Sequence, residues 1–158
     1  MKFLIALLLF VTGLTAAEYP QMGQDIYDVN ADAAVDIAEA LTIAKAENKN
    51  VILKFGANWC VWCHRLSSTL HGDVEVAAAL ARNYVIVSVD VNTRNGTNRN
   101  ADTVSKYGNP TKLGLPVLVL LDAEGEILTT QETGALEQGS AHDPAKIVAF
   151  LERWAPAS

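Results

Sequence analysis

Both cysteines of the 158-residue chain, Cys60 and Cys63, lie in one stretch, residues 51–65, that reads VILKFGANWCVWCHR. A run rich in β-branched and aromatic residues, 51–55, precedes the pair and a helical segment follows it, so the pair is expected at a strand-to-helix junction. The first N–H groups of a helix have no partner within it, and the helix dipole adds partial positive charge there. A cysteine at that position is stabilised as thiolate, the species that attacks in disulfide exchange. Two intervening residues carry the second sulfur round the first turn to bonding distance of the first, so the pair can close and reopen as one disulfide. The chemistry expected here is two-electron thiol–disulfide redox.

The same residues admit two other chemistries. Cys60-Val61-Trp62-Cys63-His64 fits the C-x-x-C-H pattern of covalent haem c attachment, with His64 as the proximal iron ligand. The distal ligand would then be Met22, His71 or His142, and buried strands ending in a cysteine pair do not resemble a small helical cytochrome. A Soret band in the expressed protein decides that alternative. Zinc would take Cys60, Cys63 and His64, but structural zinc sites use four ligands, commonly from two separated pairs, and there is no second cysteine pair; no metal is expected. Outside those readings His64 is an exposed helix residue or one that raises the thiolate population by partial positive charge. His71 reads as a helix-end residue, His142 as a loop residue, and Trp62 as exposed apolar surface for partners.

The elements that must position the pair can be read along the chain. Residues 1–17 have the form of a secretory signal peptide: Lys2, an unbroken apolar run 3–11, and small residues Thr15-Ala16-Ala17 for cleavage near Ala17. That run is far short of the roughly 20 residues that span a bilayer. The expected mature protein is periplasmic or secreted and soluble, and loss of Lys2 takes its formal charge from −6 to −7. Such an acidic surface excludes nucleic acid and anionic membrane as partners. Two cysteines three apart constrain the unfolded chain weakly, so their purpose is reactivity and not stapling. Residues 18–30 read as a lead-in segment, mobile or lightly docked, and 31–158 as one domain.

Within the domain, 32–48 forms an amphipathic helix with Val35, Ala38, Leu41 and Ala44 or Lys45 on its core face, and 51–55 a strand buried on both sides. A helix runs from Cys60 to about Leu70, a second from Val74 to Arg82 capped by Asp73, and a Val- and Ile-rich strand covers 84–90. Crossover helices between strands imply parallel pairing. The polar loop 92–100, NTRNGTNRN, is expected to be a solvated insertion; it also contains the sequon Asn95-Gly96-Thr97. A short helix at 101–107, a strand at 117–121, a turn at 122–125 and a returning antiparallel strand at 126–130 follow. Asp143-Pro144 opens a last helix whose core face is Ile147, Val148, Phe150, Leu151 and Trp154.

This order of elements, the Trp59-Cys60-Val61-Trp62-Cys63 motif after a strand, and Gly114-Leu115-Pro116 opening a later strand and hairpin together resemble the thioredoxin superfamily over residues 30–154. Within it, the chain is similar to the secreted bacterial thiol-disulfide interchange branch. The resemblance implies an α/β three-layer sandwich with a central mixed sheet flanked by helices, and a monomeric protein thiol-disulfide oxidoreductase acting on envelope thiols or disulfides. No cofactor beyond the Cys60–Cys63 disulfide is implied, and an envelope redox partner would recycle it. Cys60 would be the exposed nucleophile and Cys63 the shielded resolving thiol, with Trp59, Val61, Trp62, Leu115 and Pro116 facing the substrate. Pro116 would be the family's cis proline, turning the Leu115 backbone toward the sulfurs to pair with an extended peptide. The direction of electron flow is left open, as is a redox-inert binding module on the same fold. One position departs from the pattern: six residues before Cys60, where thioredoxins carry a buried acid, stands Lys54. Snorkelling to solvent or pairing with an acid is expected of it, ahead of a role as a cation that tunes Cys63.

Overall fold

Asp32 starts the first helix of the computed structural model, which describes residues 22–157. Its carboxylate accepts from the amides of Ala34 and Val35, satisfying two otherwise unpaired donors of α1 (Ala33–Glu47). Strand β1 (Asn50–Gly56) follows and is buried along its whole length. Then come α2 (Val61–Gly72), α3 (Val74–Asn83, capped by Asp73), β2 (Tyr84–Asp90) and α4 (Ala101–Lys106). The chain ends with β3 (Val117–Leu121), β4 (Ile127–Glu132), a two-residue pair β5 (Glu137–Gln138) and β6 (Ala141–His142), and α5 (Pro144–Arg153). The expected leader at 1–17 lies outside the described residues. Among the described residues no helix is long and apolar enough to cross a membrane.

The four-stranded sheet has the order β2-β1-β3-β4, with β1 parallel to β2 and antiparallel to β3, and β3 antiparallel to β4. The two middle strands are apolar at nearly every position because helices cover both faces. Alternation along β1 sorts the core in two. Val51, Leu53 and Phe55 pack with Val87, Val89, Val117, Val119 and Leu121 against α1, while Ile52 packs with Leu118 and Leu120 against α2, α3 and α5. The result is a helix–sheet–helix sandwich with a mixed sheet.

Three expectations are corrected. The core face of α1 is Ala33, Ile37, Ala40 and Ala44, and Val35 is exposed. In so alanine-rich a helix several stripes satisfy the same period, and the one with the smallest side chains lets the helix sit closest to the sheet. The lead-in is not lightly docked: Tyr27 is buried, and the amides of Ile26 and Tyr27 both donate to Oδ1 of Asn58 at 2.9 Å. The loop at 92–100 is not a free solvated insertion. Asn92 is fully buried, Arg99 pairs with Asp90, and Asn100 bridges the Asp90 carbonyl and the Ala33 amide.

Candidate functional site

The cysteines sit where β1 hands over to α2. Cys60 is the N-cap residue, in extended conformation, and its Sγ accepts from the Cys63 amide at 3.1 Å. The two sulfurs are joined as a disulfide, their Cα atoms 5.2 Å apart. Cys60 keeps 6% of its surface and Cys63 none, so an incoming sulfur can reach Cys60 alone. After reduction, a Cys60 thiolate would remain against the Cys63 N–H and the positive end of α2.

Leu115 and Pro116 close one side. Their peptide bond is cis, Leu115 packs on the cysteine cluster, and the Pro116 carbonyl accepts from the Thr133 hydroxyl at 2.8 Å. Trp59 stands on another side and is fastened by the loop after β2: its Nε1 donates to Oδ1 of Asn92 at 2.8 Å, and the Arg94 guanidinium lies 3.9 Å from the ring centre. Val61 is exposed at the first position of α2. Trp62, expected to be bare, is half-buried. The Arg65 guanidinium lies 4.4 Å from its ring centre, and His142 meets it edge to face with centroids 5.6 Å apart. The apolar surface needs cover, and β6 supplies it.

His142 is therefore no loop residue. It is 2% exposed, neither ring nitrogen has a hydrogen-bond partner, and burial first, then the Arg65 charge, push its pKa down, favouring the neutral ring. His64 has Nε2 at 2.7 Å from the Asn58 carbonyl oxygen. A haem attached here fits poorly, since that nitrogen is engaged and Cys63 has no accessible surface. Among the described residues no cluster of three or more His, Cys, Asp or Glu is set to hold a metal.

Beneath the disulfide lies a second layer that the motif does not announce. Asn58 holds the chain at Tyr27 by three bonds, accepting from the Ile26 and Tyr27 amides and donating to the Tyr27 carbonyl at 2.9 Å. This delivers the Tyr27 ring into one cluster with Cys60 and Cys63. Gly56, the last residue of β1, makes the room. A Cβ there would collide with the Tyr27 hydroxyl oxygen and stand only 2.7 Å from Sγ of Cys63.

Lys54 is on this layer too. It does not snorkel: at 2% exposure its ammonium lies 4.8 Å from the centre of the Tyr27 ring. Burial pushes its pKa down to about 8. Tyr27 moves the other way, upward, through burial and then the charge of Asp90, so its hydroxyl keeps its proton. The sequence signals for Tyr27, Asn58, Asn92, Arg94 and His142 were weak, each being a single polar or aromatic residue outside any periodic pattern.

A thioredoxin-like family model matches residues 31–123. The thiol:disulfide interchange protein DsbD of Colwellia psychrerythraea is 33% identical over 90 residues, covering 57% of this chain and 14% of that protein. The chain thus spans about one-seventh of the length of such curated relatives. Among solved structures, a disulphide isomerase from Xylella fastidiosa Temecula1 superposes with a TM-score of 0.71 at 30% identity, covering 81% of this chain and 95% of that one. The oxidised C-terminal domain of Neisseria meningitidis DsbD superposes with a TM-score of 0.55 at 23% identity, covering 78% and 96%, a likeness of fold.

Proposed function

The chain belongs to the thioredoxin-like family, and we propose that it is a thiol-disulfide oxidoreductase that exchanges its Cys60–Cys63 disulfide with protein thiols or disulfides outside the cytoplasm. The observation that carries this reading is the asymmetry of the pair: Cys60 caps α2 at the edge of the protein, and Cys63 is sealed beneath it. In the reducing direction, Cys60 thiolate attacks a substrate sulfur, the substrate disulfide breaks, and a mixed disulfide forms. Cys63 then attacks Cys60, releasing the second substrate sulfur as thiolate. The oxidising direction is the same path reversed.

An extended peptide would lie along Leu115, with Trp59, Val61 and Trp62 as the apolar rim. The relatives named for thiol:disulfide interchange support protein thiols or disulfides as partners; in this reading an envelope protein recycles the pair. Cleavage of the leader near Ala17 would free a monomer comprising the lead-in at 18–30 and the domain at 31–158. The disulfide itself is the redox group in this reading, with no further cofactor.

Reduction of insulin by the purified protein tests it. Cys60→Ser should abolish turnover, and Cys63→Ser should accumulate mixed disulfides with partners from an envelope extract. Full activity in Cys60→Ser would refute catalysis by this pair, and a wild type without activity would leave a redox-inert binding module. Equilibration with glutathione gives the direction: a potential near about −120 mV marks a donor of disulfides and one near about −270 mV a reductant.

A further inference from the structure

Tyr27 carries a buried hydroxyl that has no hydrogen-bond partner while the disulfide is closed. Buried hydroxyls are nearly always partnered, so one left bare beside a reactive group calls for a chemical reason. This one flanks the same point in space as Sγ of Cys63, the point that the missing side chain of Gly56 leaves open. We propose that the Tyr27 hydroxyl is the hydrogen-bond donor to the Cys63 thiolate, so that reduction of the disulfide supplies the partner that the oxidised state withholds. The inference rests on the thiol-disulfide reading above and deepens it, assigning a further residue to the resolving thiol.

The chemistry of the neighbours fits a donor. A disulfide sulfur is a weak acceptor, whereas a thiolate is an anion, and hydrogen bonds to ionised groups are the strong ones. Burial and Asp90 keep the proton on Tyr27, so the hydroxyl donates across the working range of pH and does not act as a base. The Lys54 ammonium behind the ring adds positive charge to the same layer. The other charged groups facing it are accounted for: Asp90 at the end of β2 is paired with Arg99, and His64 on α2 is turned to the Asn58 carbonyl. Where other members of the superfamily place an acid that receives a proton, this chain thus places a donor and a cation that stabilise the anion once the proton has left.

In the resolving step Cys63 has already given its proton to water. Its thiolate attacks Sγ of Cys60, the Cys60–substrate bond breaks, the Cys60–Cys63 bond forms, and the substrate sulfur leaves with the electron pair and takes a proton from water. The two electrons that reduce the substrate disulfide come from the Cys60–Cys63 dithiol. Tyr27 raises the fraction of Cys63 present as the attacking species and lowers the energy of the reduced state relative to the oxidised one.

Tyr27→Phe tests this, since it removes the hydroxyl and keeps the ring. In the full chain carrying Cys60→Ser, the Cys63 titration, followed by the cysteine Cβ chemical shift, should move up by about one pH unit, a roughly tenfold loss of thiolate at neutral pH. With both cysteines present, the equilibrium with glutathione should shift toward the disulfide, reaching about tenfold, or about 30 mV more negative, only at pH values where Cys63 is mainly thiolate. The oxidised form should unfold no more easily than wild type, because its hydroxyl has no bond to lose. A fluorinated tyrosine at position 27, a stronger donor of the same shape, should move the Cys63 titration the opposite way and covers the case in which the Phe variant folds badly. An unchanged Cys63 titration in both would overturn the proposal, as would equal destabilisation of the oxidised and reduced forms. Failure of the wild type to equilibrate with glutathione would instead remove the oxidoreductase reading, while the Cys63 titration would still decide the role of Tyr27.

Discussion

Lys54→Met is the perturbation whose outcome can be worked furthest, in the oxidised protein where the cysteines do not titrate. The folded ammonium has its pKa pushed from 10.5 down to about 8 by burial. That separation corresponds to about 3 kcal/mol of desolvation borne by the folded state when Lys54 is charged. The sign follows from proton uptake. Between about pH 8 and about pH 10.5 the unfolded chain holds a proton that the folded protein has released, so stability rises with pH by up to about 1.4 kcal/mol per unit. Tyr27 and Tyr84, both shifted upward chiefly by burial, oppose this. They ionise in the unfolded chain first, and stability falls again above about pH 10. Methionine fills a similar volume without the charge. The variant should be about 2 kcal/mol more stable than wild type at neutral pH, after allowing about 1 kcal/mol for the lost contact with the Tyr27 ring. Urea unfolding followed by tryptophan fluorescence from about pH 7 to about pH 9.5 measures the rise in wild type and its loss in the variant. A flat wild-type profile over that range, or a variant that keeps the rise, would refute the assignment of a buried, titrating ammonium at this position.

Other perturbations read out the neighbouring contacts. Asn58→Ala removes the three bonds to residues 26 and 27. It should lower stability by about 2 kcal/mol and expose residues 22–30 to limited proteolysis, visible as an early cleavage in a time course. Gly56→Ala places a methyl group against the Tyr27 hydroxyl and Sγ of Cys63 and should cost about 1–3 kcal/mol in a denaturant titration. The neutral His142 ring implies a loss of stability as pH falls below 6.5, because the unfolded chain takes up the proton first. His142→Phe, which keeps an aromatic edge on Trp62, should flatten that acid limb in unfolding curves between about pH 7 and about pH 5. Arg94→Ala uncovers the Trp59 ring, and the indole should become more accessible to acrylamide, with a stability loss of only about 0.5–1 kcal/mol.

The elements that carry the cysteines were legible because each had its own local physics. The β-branched run before the motif, Asp73 as a cap, and Asp143-Pro144 at the last helix are cues within a few residues of what they specify, and β1, α3 and α5 form where those cues stand. The second layer was not legible for the complementary reason. Asn58 and Tyr27 are 31 residues apart, Trp59 and Asn92 are 33 apart, and no period or spacing links either pair. His142 was misread because a two-residue strand has no pattern of its own, and its burial is decided by Trp62 across the fold. Lys54 was placed on the correct strand, but its environment depended on which side chain lay over it, and that side chain arrives from outside the sheet.

The clip formed by Asn58 has a further consequence for how such a site can be altered. The family model matches from residue 31 onward, so the segment that delivers Tyr27 lies upstream of the matched range. The residues that the family model matches supply the reacting sulfurs, and the segment before them supplies part of the environment of the inner one. A chain begun at residue 31 would lack Tyr27, and with it the ring that packs against Cys60 and Cys63. The environment of the inner sulfur in this chain is thus set partly by residues far from the motif, and can be altered without changing any residue between the cysteines.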